Sequence, residues 1–241
     1  MKNVYTELTG RAADIFTRHG LMGETVQVTA RVLSTEEAIG NPEADDFPLQ
    51  KGRERLMEAT IDGAAGQAFT DRFGNYEGTL EGILNTPMVN NYRRAVFVAS
   101  LNAALRRLAL TTGTVHCRDQ EPADCARALA DHIDHRYGRG NIGIVGFQPR
   151  MVETLAGRFP VRVLDMDVDN IGEDRFDVMI ESPKACREVI KWADLLLVTG
   201  TTLVNGTLPE FLVEKPVVFY GTTIAGAAYL MGWNRFCDRS R

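Results

Sequence analysis

No apolar run in this 241-residue chain approaches the ~20 residues that a helix needs to cross a bilayer, so no membrane span is expected. The opening residues, MKNVYTELTGRAADIF, carry charges where a secretory signal keeps its apolar core, and the expectation is a cytoplasmic protein. Cysteine is scarce: Cys117, Cys125, Cys186 and Cys237 are the four present. Without an export signal they are expected as thiols or metal ligands in a reduced compartment rather than as bridges. Positive charge is not in excess either, since 27 Lys and Arg face 32 Asp and Glu for a formal net charge of −5. That balance gives no footprint for a polyanionic backbone, and nucleic acid is not an expected partner. No G-x-S-x-G elbow, H-E-x-x-H pair or Walker loop occurs, which leaves the hydrolase, zincin and nucleoside-triphosphatase readings without a motif.

What is present reads as a globular α/β chain in two parts. Tyr5, Leu8, Ala12, Ile15 and Phe16 recur at helical spacing before Gly20, and VQVTARVL alternates apolar and polar residues as a half-buried strand over about 25–33. Residues 34–50 lack periodicity and read as a long surface loop. ERLMEATIDGAAGQAFTD then gives two extended runs about turn residues at Asp62-Gly63 and Gly66, completing a three-stranded antiparallel meander. Thr86-Pro87 has the form of an N-cap and first helical residue, which predicts a long helix through Val96, Leu101, Leu105 and Leu108. A further helix is predicted from Pro122 to about Tyr137, with a boundary at Gly138 between an α+β domain (1–138) and a second domain (139–241). From Asn141, short apolar runs (NIGIVGF, VRVLDMD, ADLLLVTG, PVVFYGTT) alternate with helical stretches. Continuous apolar strands imply burial on both faces and hence a Rossmann-like parallel sheet.

The turns at the strand ends carry the candidate site. Gly143-Ile144-Val145-Gly146 leads straight into a helix and would aim backbone N–H groups at an anion or ribose, although a tight packing turn accounts for it equally. Asp165, followed by Asp167 and Asp169, sits where such folds place an acid on ribose hydroxyls, or else forms a solvated acidic loop. The most specific feature is a doubled Gly-Thr-Thr: Gly200, Thr201 and Thr202 after one strand, Gly221, Thr222 and Thr223 after the next. Ligands in open parallel sheets bind outside the carboxyl ends of the strands, and Asn205 and Thr207 follow as caps or ligand contacts. Lys51, Glu54, Glu58, Thr70 and Asp71 would close a cleft from the meander side, with Glu58 or Asp71 as the candidate general base. His116, Cys117 and Cys125, with His132 and His135 nearby, gather donors suited to a transition metal ion, but at no standard zinc spacing; a buried thiol and solvated histidines are the plainer reading. Cys237 is a candidate reactive thiol.

KGRERLMEATIDGAAGQAFTD, TGTTLVNGTL and the layout of a short α+β domain before a Rossmann-like half together resemble the heavy-metal chelation family. The resemblance implies an N-terminal domain similar to the enolase N-terminal fold, a site in the interdomain cleft, and binding or transfer of a heavy metal to a tetrapyrrole-like or other small acceptor. Thr201, Thr202, Asn205 and Thr207 fall on the family's strand-end motif, and Thr70 and Asp71 on its meander motif. The chain departs from the pattern where a proline-rich stretch is expected and Gly221–Gly226 stands instead. The expected function is therefore binding of a small anionic or metal-bearing ligand. An enzyme acting on a nucleotide-like or amino-acid-derived molecule and a non-catalytic sensor are the rivals, and self-assembly into a homo-oligomer stays open.

Overall fold

The computed structural model describes residues 4–22, 28–40 and 54–241; Lys51 and the start of the first expected strand lie outside them. Two sheets make up the α/β fold. The first is antiparallel with four strands in the order β3-β2-β1-β4: β1 (Val28–Val32), β2 (Arg55–Ile61), β3 (Ala64–Thr70) and β4 (Tyr76–Gly78). The expected meander is its first three strands, and the short β4 adds to the free edge of β1. Asp62 and Gly63 join β2 to β3 with φ of 47° and 79°, the left-handed pair that a two-residue hairpin demands. Gly66, by contrast, lies within β3.

The second sheet has seven strands in the order β11-β10-β9-β5-β6-β8-β7. Five expected or newly seen strands run parallel: β5 (Ile142–Val145), β6 (Val161–Leu164), β8 (Val178–Glu181), β9 (Leu195–Thr199) and β10 (Val217–Tyr220). The edge pieces are β7 (Asp174–Arg175), which is antiparallel and makes the sheet mixed, and β11 (Arg235–Phe236), which is parallel. From β5 the chain steps to β6 and β8 on one side and then returns to β9 and β10 on the other, so the order reverses at β5.

Two expectations need correction, and one helix is new. Residues 34–39 are not loop: α2 (Thr35–Ile39) is closed by a capping box in which Ser34 accepts from the Glu37 N–H and the Glu37 carboxylate accepts from the Ser34 N–H. A short α3 (Leu80–Leu84) is capped by Thr79. The long helix is α4 (Asn91–Arg107), not one opening at Pro87, because the Asn90 side chain accepts from the Arg93 N–H and fixes the start there. The first helix α1 (Val4–Arg18) and α5 (Glu121–Tyr137) lie as expected. Helices α6 (Pro149–Ala156), α7 (Cys186–Trp192), α8 (Thr201–Asn205) and α9 (Ala225–Met231) connect the second sheet.

Helix α4 organises the molecule. Every residue from Ala95 to Leu105 is buried, so it has no solvent face and must be covered all round. On one side Ala99 and Ala103 meet Gly66 of β3, where a Cβ would overlap the Ala103 nitrogen and the Ala99 carbonyl oxygen. On another, Leu101 and Leu105 approach Gly226 of α9, whose missing Cβ would lie 3.1 Å from both side chains. One hydrophobic core therefore runs from α1 and the antiparallel sheet through α4 to Leu196, Val198 and Phe219 of the second sheet. A separate core fills the opposite face of that sheet, and α5 contributes Ala126, Leu129, Ala130 and Ile133 to it.

Candidate functional site

Strand order reverses at β5, and open α/β sheets bind ligands at such a point, outside the carboxyl ends of strands that correspond here to β5, β6 and β9. Asp165 follows β6 there, and its two carboxylate oxygens accept from the Phe147 N–H at 2.6 Å and the Asp167 N–H at 2.7 Å. Those bonds orient it beside the β5 turn. Burial still raises its pKa above the ordinary value, with Asp167 adding to the effect. Glu54, just ahead of β2, comes to the same edge. Burial first, then the charges of Asp165, Asp71 and Asp167, push its carboxyl up to about 7. Four carboxyl groups from two sheets thus share one potential, and one of them titrates near neutrality.

Neutral groups frame these acids. Asn91, in the first turn of α4, donates to the Asp71 carboxylate at 2.6 Å and to Asn205 Oδ1 at 3.4 Å. Asn205 Nδ2 reaches Met166 Sδ at 3.8 Å, between Asp165 and Asp167 in the chain. Arg94 ties this frame down, donating to the Asn91 side chain at 2.6 Å and to the Val204 carbonyl at 2.5 Å. Met166 is 58% exposed, a thioether open to whatever sits at this edge.

The two Gly-Thr-Thr corners converge, but as a joint rather than as a binding wall. A Cβ on Gly200 would stand 3.2 Å from the Thr223 Cβ and 2.7 Å from the Ile224 nitrogen. All four threonines are buried. Thr202 donates to the Thr199 carbonyl, Thr201 and Thr199 bond each other through their hydroxyls, and Thr223 accepts from the Phe69 N–H of β3 at 3.1 Å. Below them Asn102 of α4 donates to the carbonyls of Gln67, Thr222 and Thr223 and accepts from the Gly226 N–H at 2.7 Å. The hollow expected at this place is filled by side chains and hydrogen bonds.

Other expected residues also turn out to have local work. Thr70 is fully buried and closes a turn on Arg72, donating to its carbonyl and accepting from its N–H. Gly146, at φ 93°, makes room for Tyr220, whose hydroxyl donates to the Val145 and Gly146 carbonyls. Thr207 closes α8 through its N–H to the Thr202 carbonyl, and Gly221 gives its carbonyl to Arg235. Glu58 is two residues past Leu56 and so shares its face of β2, opposite Met57 and Ala59; it accepts from Gln67 Nε2 and is not among the charges acting on Glu54. His116 stacks edge-on to Phe69, donates through Nδ1 to the Cys117 carbonyl, and is held down at about 4 by burial. Among the described residues no three His, Cys, Asp or Glu side chains are arranged to hold a metal ion, so His116, Cys117 and Cys125 do not form an assembled ligand set. Two surface hollows, one by Phe159 and Phe176 and the other by Val4 and Trp233, include none of the expected site residues.

Of the expected residues, the acidic edge therefore unites Glu54, Asp71, Asp165, Asp167 and Asn205. Sequence reasoning missed Asn91, Arg94 and Met166. Residues 128–226 match the family described as "Putative heavy-metal chelation". That segment runs from α5 to α9 and carries both Gly-Thr-Thr corners and Asp165. No curated protein matches the chain. Among solved structures, one of unknown function from the same family in Pyrococcus horikoshii is 16% identical, with 91% of this chain and 79% of that one covered at a TM-score of 0.55. Another family member of unknown function, from Desulfitobacterium hafniense, is 13% identical over 73% of this chain and 72% of its own, with a TM-score of 0.51. At those identities the likeness is one of fold. No helix among the described residues is long and apolar enough to cross a membrane.

Proposed function

We propose that the acidic edge formed by Glu54, Asp71, Asp165 and Asp167 binds a metal cation, alone or carried by a small chelating molecule, as cargo. The observation that carries the reading is the convergence of these four carboxyl groups, at which burial first, and then the charges of Asp165, Asp71 and Asp167, push the Glu54 carboxyl up to about 7. Such a site is relieved by positive charge, and a bare anion would add to its repulsion. Lacking three preassembled donors, the edge suits an ion that arrives with its own ligands, water or an organic chelator, and the thioether of Met166 favours a soft one. The family match to a heavy-metal chelation model supports the same direction.

The reading keeps an enolase N-terminal-like unit beside a Rossmann-like one, in a cytoplasmic protein, but puts the site at their acidic rim and moves the join. We place it before α5, since that helix packs in the core of the second sheet. Equilibrium dialysis against Cd(II) and Zn(II), followed by elemental analysis, tests the function. Asp71→Asn with Asp167→Asn should weaken retention at least about tenfold, about 1.4 kcal/mol, and wild-type affinity should rise with pH through 7 as Glu54 ionises. Undiminished binding by the double variant would overturn the assignment. A second reading, an enzyme using Glu54 as general acid or base, is favoured by the same near-neutral carboxyl; a nucleotide retained through purification would turn the choice toward it.

A further inference from the structure

Three cysteines from two separate parts of the chain come together beside the edge strand β11. Cys117 lies in the segment entering α5, Cys125 in its second turn, and Cys237 in the C-terminal tail beyond β11. The tail crosses one face of α5 in a defined register. The Phe236 ring lies over His132 at 5.1 Å between centroids, and the Arg241 guanidinium bonds both oxygens of Glu121 at 2.9 Å. Glu121, Cys125 and His132 are four and seven residues apart, which puts all three on that face. Between the two anchors the tail turns, with Ser240 Oγ donating to the Cys237 carbonyl, and the N–H groups of Asp238 and Arg239 point at the Cys125 sulfur.

The tail is further locked by a reciprocal backbone pair, Val115 with Arg241, at 2.8 and 2.9 Å. Cys237 is the thiol that bears most strongly on both of the others. Cys117 is buried, whereas Cys125 and Cys237 are only partly so and remain within reach of a small solute. The Arg235 guanidinium, donating to the carbonyls of Gly221 and Gly113, stands against Cys237 and near Cys125.

We propose that Cys125 and Cys237 form an oxidation-dependent disulfide, with a hydroperoxide as the oxidant, that fastens the C-terminal tail to α5. The Cys237 thiolate attacks one peroxide oxygen; the O–O bond breaks, the leaving oxygen takes a proton to become water or an alcohol, and Cys237 becomes a sulfenic acid. The Cys125 sulfur then attacks the Cys237 sulfur, forming the S–S bond while the sulfenic hydroxyl leaves with the Cys125 proton as water. The two thiols together lose two electrons and the peroxide gains them. A thiol reductant reverses the bond.

The full chain, reduced and then treated with hydrogen peroxide, is alkylated at its remaining thiols, digested without reductant and mapped by mass spectrometry. The expected product is lighter than the reduced protein by two hydrogen atoms before alkylation, links the peptides of Cys125 and Cys237, and carries the alkyl group on Cys117 and Cys186. In Cys125→Ser the expected product is Cys237 sulfenic acid, trapped by dimedone. A linkage through Cys117 or Cys186, over-oxidation of Cys237 without linkage in the wild type, or four fully alkylated cysteines would each overturn the proposal.

Discussion

Replacing Asn102 by alanine should cost the fold about 4 kcal/mol. Its two amide hydrogens are shared among three backbone carbonyls, and its oxygen accepts the Gly226 N–H, all at 0% exposure. Counting three net hydrogen bonds at ~1 kcal/mol each and ~1 kcal/mol for leaving the Gly226 N–H orphaned gives that figure. In a chain of this size it lowers the melting midpoint by roughly 12 °C. Urea denaturation followed by tryptophan fluorescence and far-ultraviolet dichroism measures it. Both probes should move together, because Asn102 bonds the antiparallel sheet at Gln67 and the second sheet's corner at Thr222 and Thr223. Asn102→Asp keeps the shape but loses the donors, and at neutral pH it should lose at least as much stability as the alanine variant. A loss under ~1 kcal/mol for either variant, or probes that separate in the wild type, would refute the idea that this side chain joins the two sheets.

Three further outcomes follow from the same contacts. Because Glu54 has its folded pKa raised to about 7 from 4.5, the folded state holds the proton more tightly, so stability declines as pH rises between those values and levels off above 7, by up to about 3 kcal/mol; Glu54→Gln should flatten that part of the pH–stability curve measured by denaturation. Thr222→Val should be neutral or stabilising by up to ~1 kcal/mol in thermal melts, since the buried Thr222 hydroxyl has no hydrogen-bond partner among the described residues, and it should leave cation retention at the acidic edge unchanged. Gly66→Ala should destabilise by more than ~3 kcal/mol or prevent folding, read as lost cooperative melting, because α4 backbone occupies the space its methyl group needs.

Much of the second sheet was legible because its strands announce themselves as isolated apolar runs, NIGIV and LLLV, bounded by glycine and charge. The strand VMIE was not, since its short alternation with Met179 exposed is submerged among polar residues. The Ser34/Glu37 capping box was present in the letters yet hidden by the polar composition around it. At the site, Asp165 could be read from its place after a strand, a local fact. Choosing Glu54 over Glu58 could not: which acid reaches the sheet edge is set by where β2 begins against another sheet whose Asp165 lies more than a hundred residues later.

The doubled Gly-Thr-Thr illustrates why such a motif is ambiguous on its own. Glycine at a strand end admits close approach of backbone, and threonine satisfies stranded polar groups; a ligand and a neighbouring segment of chain present the same needs. Here the neighbour is β3 together with α4, whose Phe69 N–H and Asn102 amide take the places a ligand would otherwise occupy. With those corners filled by neighbouring chain, we place the binding capacity at the rim, where burial and then its acidic neighbours raise the pKa of Glu54. Like charge gathered at the edge is then what the proposed site offers, and that is the ground on which we propose a cation rather than a ribose or a phosphate as its ligand.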